Sequence, residues 1–238
     1  NFSLNNPNYS TRPVVRIILG NRSANDFDWN TETGDLISTP ALPMRIKPRK
    51  TPVLIVPGVL GTDINKGSEK LWLDLGRNFT DLGDQFMDFL QFNTNLTPLD
   101  TSLTIGEVIR EATMTPSTLV NFNYTKGLID LFTSQGYTEG TSSDANLFTL
   151  PYDWRYGVSG TFSDGNTNVD FLKQKIQDIM TQTGSNKVDV IAHSTGGLLV
   201  KKFVMDHSLD NHIGKAVFVG VPNTGAPKAI KVLLKGDS

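Results

Sequence analysis

Residues 188–206 read VDVIAHSTGGLLVKKFVMD. Val188, Val190 and Ile191 are β-branched within the first five positions, which predicts a core strand over 188–192. From Gly196 to Asp206, Leu199 and Phe203 recur four residues apart, as do Val200 and Val204, which predicts a helix. Between the two stands Ala192-His193-Ser194-Thr195-Gly196-Gly197. Small-x-Ser-x-Gly is a weak pattern in isolation, but a serine on a sharp turn from strand to helix is the setting of a nucleophile elbow. Such a turn strains the serine backbone and lifts Ser194 Oγ above the sheet. It requires small residues two positions to either side, here Ala192 and Gly196. The helix start adds free N–H groups and partial positive charge beside the serine. The plain alternative is a serine in an ordinary strand–helix turn.

Working outward, Val53–Val56 (VLIV) is wholly apolar and ends at Pro57-Gly58, as suits a strand buried on both faces. A glycine turn after such a strand lets a backbone N–H face the elbow. In acyl transfer one oxyanion donor comes from this loop and one from the residue after the nucleophile. Val59 and Thr195 are therefore the oxyanion candidates, through backbone atoms, against the alternative of a simple tight turn.

Further elements follow the same alternation. A helix is expected over Tyr124–Gln135, with Leu128, Ile129, Leu131 and Phe132 as its apolar face and Gly136 as its stop. Leu147–Leu150 reads as a strand. Residues 168–183 read as an amphipathic helix, since Val169, Leu172, Ile176 and Ile179 step by three and four before Gly184. Ala216–Val221 reads as a fourth core strand. Strands alternating with helices imply βαβ units and a mostly parallel sheet, the α/β class. Residues 61–120 are polar, with scattered aromatics, and too long for an ordinary connection. They read as an irregular insertion placed where a lid would sit.

Residues 1–50 are rich in Asn, Ser and Thr and carry one apolar run, Pro13–Leu19, read as a strand. Pro40, Pro43, Pro48 and Pro52 then mark an extended linker. Its Arg45, Lys47, Arg49 and Lys50 read as a solvated basic run rather than a binding patch. Two regions result: 1–50, β-like with a Pro-rich linker, and 51–238, the α/β core with its insertion. The chain opens on Asn1 rather than Met, which reads as a processed or trimmed end. Six N-x-[S/T] triplets, at Asn1, Asn8, Asn21, Asn78, Asn95 and Asn123, are put down to chance in so Asn- and Thr-rich a chain.

Composition limits the function. With 22 basic and 24 acidic residues, net charge −2, there is no electrostatic case for nucleic acid. Without cysteine the 238 residues carry no disulfide, thiol catalysis or Cys-based zinc site. No ligand cluster argues for a metal and no phosphate loop for a nucleotide, so no cofactor is expected. The longest apolar run, Pro52–Leu60, falls far short of the ~18 residues of a membrane span.

Five segments in order, PVLIVPGVLGT, LWLDL (71–75), PYDWR (151–155), VDVIAHSTGGLLV and VGVPNTGAPKA (219–229), resemble the lecithin:cholesterol acyltransferase-like family of α/β hydrolases. The resemblance covers roughly residues 52–236. It implies an α/β-hydrolase fold and acyl transfer from a phospholipid or related ester to a sterol, glyceride, other alcohol or water. The implied partner is a lipid or ester substrate, and peripheral contact with a membrane or lipoprotein surface would accompany it. The location would lean toward secreted. Carried over by residue, Ser194 is the nucleophile and Val59 and Thr195 the oxyanion pair. Trp72 falls in the lid over the acyl site. Family members often staple that lid with a disulfide, which this chain cannot form. Asp153, Trp154 and Arg155 match PYDWR and read as a structural Asp/Arg network beneath the site.

A serine nucleophile needs a general base, normally His oriented by an acid. Only His193, His207 and His212 exist. His193 precedes the nucleophile and is expected to point away from it. His207 lies ~20 Å along the predicted helix at ~1.5 Å per residue. His212 leads into the next strand, at the opposite end of the sheet. In α/β hydrolases the acid and the base follow the nucleophile in chain order. The expectation is that both lie beyond Ser238 and that the chain is C-terminally incomplete. Two alternatives stay open: a generic carboxylester hydrolase or lipase, and a non-catalytic module that keeps the elbow without a base.

Overall fold

The computed structural model describes residues 28–29, 36–38, 50–74, 85–114, 120–227 and 231. The expected strand Pro13–Leu19, most of the basic run and the triplets at Asn1, Asn8, Asn21 and Asn78 lie outside them. The chain divides into two compact units, Asn1–Pro48 and Arg49–Ser238. In the first, β1 (Asp28–Trp29) pairs antiparallel with β2 (Leu36–Ser38).

The second unit is built on β3 (Val53–Val56). An antiparallel region follows: β4 (Thr62–Lys66), β5 (Glu69–Trp72), a 3-10 turn over Gln85–Leu90, β6 (Leu103–Val108), β7 (Glu111–Met114) and β8 (Val120–Asn123). The α/β pattern resumes with α1 (Lys126–Ser134), β9 (Leu147–Thr149), α2 (Asn168–Thr183), β10 (Val188–His193), α3 (Thr195–Asp206) and β11 (Ile213–Val219).

The central sheet has the order β11-β10-β3-β9, every pair parallel. β3 and β10 are neighbours in register, with Ala192 opposite Val56. β9 lies on one side of β3, and the chain crosses back to lay β10 on the other. The carboxyl ends of β3 and β10 thus flank a topological switch point, where ligands bind in open α/β sheets.

Alternation along β3 explains its wholly apolar sequence. Leu54 and Val56 join one core with Leu172, Ile176 and Ile179 of α2 and Leu199, Val200 and Phe203 of α3. Val53 and Ile55 face the opposite layer, against Ile129 of α1 and Leu147. Leu128 and Phe132 pack there too, whereas Leu131, expected on that apolar face, is 56% exposed. It lies two residues from Ile129, the buried residue of the helix, and so about 200° around the axis from it, toward solvent. β11 begins and ends earlier than the expected 216–221.

The reading of residues 61–120 as irregular is corrected. β5-β4-β6 form a three-stranded antiparallel sheet, and β7 and β8 form an antiparallel pair. Polar residues at alternate positions obscured β4: Thr62 and Ile64 are buried while Asp63, Asn65 and Lys66 are partly exposed. A two-residue turn at Gly67-Ser68, with Gly67 at φ 59°, joins it to β5.

Candidate active site

Ser194 has φ 51° and ψ −126°. That left-handed backbone is the strain the elbow reading required, and a non-glycine residue holds it only where its surroundings over-determine it. Three constraints do so. β10 delivers the chain, Ser194 N–H donates to Val219 O at 2.9 Å, and α3 starts at the next residue. Ser194 Oγ has no hydrogen-bond partner among the described residues.

The loop after β3 docks directly on this turn. A Cβ added at Gly58 would lie 2.8 Å from Ser194 Cβ, and one at Gly196 would lie 2.2 Å from Pro57 O. Gly197 is equally confined, since its Cβ would meet Val221 at 2.1 Å. These glycines allow the loop and the helix start to touch through backbone.

The loop's carbonyls are held one by one. Gly58 O accepts from Gly61 N–H at 3.2 Å, closing a turn in which Leu60 takes φ 65°. A trans peptide sets C=O and the following N–H in opposite directions, so the bond at Gly58 O also fixes the direction of Val59 N–H. Leu60 O accepts from Trp72 Nε1 at 2.8 Å, and Thr62 O from Trp154 Nε1 at 3.1 Å. Gly61 O accepts from Ile109 N–H at 2.9 Å. Among the described residues, neither Val59 N–H nor Thr195 N–H has an acceptor. The fold therefore brings together Ser194 and both oxyanion candidates, with two donor N–H groups free.

Trp72 lies on β5, half-buried, edge-on to Trp154 with ring centroids 5.8 Å apart. It ties the antiparallel sheet to the loop that carries Val59. Asp153 and Arg155 form a bidentate pair, Nε–Oδ1 at 2.9 Å and Nη2–Oδ2 at 2.6 Å, both side chains 6% exposed. Asp153 Oδ1 also accepts from Arg155 N–H, capping the short 3-10 turn over Trp154–Tyr156. The pair thus holds its own turn and makes no bond to Ser194.

Sequence reasoning passed over Tyr152, although PYDWR contains it. Its phenol is buried and reaches Pro57 O at 3.1 Å and Thr195 Oγ1 at 3.4 Å. Burial pushes its pKa up, so it stays a proton donor at neutral pH.

Two cavities meet at Val59. One of about 180 Å³ lies among Val59, Tyr152, Trp154, Val158, Thr195 and Leu199. The other, about 430 Å³, is lined by Pro57, Val59, Tyr124, Leu128, His193 and Val219 among others. Both are walled largely by apolar side chains, which suits hydrocarbon rather than a charged ligand.

The three histidines stand at the end of β10, just past α3 and just before β11. His193 is exposed and lines the larger cavity. His207 stacks on Phe203 at the carboxyl end of α3, its Nδ1 3.2 Å from Phe203 O. His212 pairs with Asp210 at 2.6 Å where β11 begins, opposite the amino end of β10. Among the described residues none is hydrogen-bonded to Ser194.

The family described as Lecithin:cholesterol acyltransferase matches residues 114–238, more than half the chain. Lecithin-cholesterol acyltransferase-like 4 of Arabidopsis thaliana is 27% identical over 213 residues, 81% of this chain and 38% of that protein. Lysosomal phospholipase A and acyltransferase of Bos taurus is 24% identical over 232 residues, 85% of this chain and 54% of that protein. Phospholipase A(1) LCAT3 of Arabidopsis thaliana is 29% identical over 109 residues, 43% of this chain and 22% of that protein. The chain thus spans about half, or less, of the length of these relatives.

Proposed function

This chain belongs to the lecithin:cholesterol acyltransferase family of α/β hydrolases, and from that premise we propose that it provides the nucleophile and oxyanion site of a lipid acyltransferase or acyl hydrolase. The single observation that carries the reading is Ser194 at φ 51° on the turn from β10 to α3, with the Gly58 turn packed against it and, among the described residues, no acceptor at Val59 N–H or Thr195 N–H.

Ser194 Oγ attacks the carbonyl carbon of a phospholipid or related ester. As the Oγ–C bond forms, the Oγ proton passes to a general base and the carbonyl oxygen becomes an oxyanion, held by Val59 N–H and Thr195 N–H. Collapse breaks the ester C–O bond, and the leaving alkoxide takes the proton. The acyl-enzyme then passes its acyl group to a sterol, glyceride, other alcohol or water. Val59 and the apolar walls on either side of it accommodate hydrocarbon. The antiparallel region, anchored through Trp72, serves as the cover of the acyl site. Asp153 and Arg155 are structural in this reading, and Trp154 holds the end of the loop. We assign the base and its acid to residues outside the 238, because among the described residues none of the three histidines is hydrogen-bonded to Ser194, and His207 and His212 lie at the far ends of their elements.

That same shortage of a base favours one competing reading, a non-catalytic module. Fluorophosphonate labelling, mapped by peptide mass spectrometry, separates the two. The expected result is adduct at Ser194 in the full natural polypeptide, lost in Ser194→Ala. Absence of adduct in the unsubstituted polypeptide would sink the enzyme reading.

A further inference from the structure

We infer that Tyr152 is a positioning residue of the oxyanion hole: its phenol clamps the Pro57–Gly61 loop to the start of α3 and so sets the separation of Val59 N–H and Thr195 N–H. The inference rests on the acyl-transfer reading above and extends it to a residue that takes no part in bond making.

The geometry is two-sided. The two donor N–H groups belong to segments far apart in sequence, and each is fixed within its own segment. Val59 N–H is oriented by the Gly58–Gly61 turn, and Thr195 N–H by the first turn of α3. What remains to be fixed is the distance from one segment to the other. Trp72 and Trp154 bond only to the loop side, at Leu60 O and Thr62 O. Tyr152 Oη alone among these aromatic groups touches both sides, at Pro57 O and Thr195 Oγ1. Its single proton goes to the Pro57 carbonyl, which can only accept. The Thr195 hydroxyl then donates to Tyr152 Oη. Pro57 O is pressed against Gly196 at the same time, where no side chain could fit. The carbonyl is thus caught between the phenol and the helix backbone.

Tyr152 itself has little freedom. It is 4% exposed, and its N–H donates to Thr62 Oγ1 at 3.3 Å. Its ring forms a wall of the smaller cavity beside Val59 and Thr195. A phenylalanine would fill the same space and leave the Pro57 carbonyl without its donor. The loop would then be free to shift relative to α3. Misplacing a catalytic group by about 1 Å is enough to cost about 100-fold in rate.

The test is Tyr152→Phe in the full natural polypeptide, with three readouts. The rate of Ser194 labelling by a fluorophosphonate is expected to fall about 10- to 100-fold. Ester turnover is expected to lose kcat with KM changed less than about twofold, the signature of an interaction used in the transition state. Amide hydrogen exchange is expected to quicken at Leu60 and Gly61 while Leu199–Phe203 of α3 keeps its protection. Unchanged labelling together with unchanged loop exchange overturns the inference. If the unsubstituted polypeptide does not label at all, the acyl-transfer reading fails, and loop exchange alone decides whether Tyr152 is the clamp. Thr195→Val retains the residue 195 N–H while removing the hydroxyl contact with Tyr152. Should Tyr152→Phe not fold, that variant must show the same pattern at smaller size, and wild-type behaviour in it would overturn the proposal.

Discussion

Ser194 at φ 51° carries strain that a glycine would relieve. Such backbones cost of order 1–3 kcal/mol in a non-glycine residue. Ser194→Gly is accordingly expected to raise the unfolding free energy by about 1 kcal/mol after glycine's own entropy cost, and to abolish labelling. Urea unfolding measures the first effect, and a loss of stability would show that the turn is not strained. Gly196→Ala should act in the opposite sense. Its Cβ would fall 2.2 Å from Pro57 O, so a loss of more than about 2 kcal/mol is expected, with labelling reduced as the loop is pushed off. Asp153→Asn leaves the Arg155 guanidinium buried without its ion partner, at a cost of about 3–5 kcal/mol. If the pair is structural, the folded fraction of that variant labels at the wild-type rate.

At the scale of elements, α2 is the best specified. Thr167 Oγ1 accepts from Asp170 N–H while the Asp170 side chain accepts from Thr167 N–H, a capping box, and Gly184 closes the helix in the left-handed conformation. Thr167→Ala should cost about 1 kcal/mol in urea unfolding. The antiparallel region has a pH-dependent fastening. Asp100 accepts from Ser102 Oγ at 2.6 Å and Ser102 N–H at 2.8 Å and pairs with Lys66 at 2.9 Å. The Ser102 hydroxyl, then Lys66, hold its pKa down to about 2 from 3.8. A lowered carboxylate pKa contributes stability that is complete above the unfolded value and is lost as pH falls through the folded one. The window is therefore between about pH 4 and pH 2. The stability of Asp100→Asn is expected to change less across that window than wild type. Parallel curves would remove Asp100 as the cause.

At the scale of the whole molecule, the buried core residues among the described ones lie between Val53 and Phe203, inside the unit that starts at Arg49. Because that unit has a core of its own, a polypeptide of residues 49–238 is expected to fold by itself and to unfold in one cooperative urea transition. A broad, non-cooperative transition would show that the unit does not fold alone. The parallel sheet places the ends of β3 and β10 side by side, so residues from two distant segments meet in the candidate site at the switch point. The chain spans about half, or less, of the length of the relatives it matches.

Several features could be read from residue order alone because they rest on local physics. Val53–Val56 is apolar at every position because both faces are covered, and the three-and-four spacing of 168–183 admits one buried stripe. A serine between a strand and a glycine-rich helix start has few conformations open to it, so the strained Ser194 was legible before any coordinates. The paired strands β4 to β6 were not, because Thr62 and Asp63 look like loop residues until their partners are known. Tyr152 was likewise silent. Its partners stand 95 and 43 residues away, and no local pattern says that a phenol will meet a proline carbonyl and a helix-start hydroxyl. Periodicity and turn chemistry act between near neighbours and survive in the sequence as a pattern. The separation of the two candidate oxyanion donors depends on how a loop and a helix pack, and only the folded chain sets that distance.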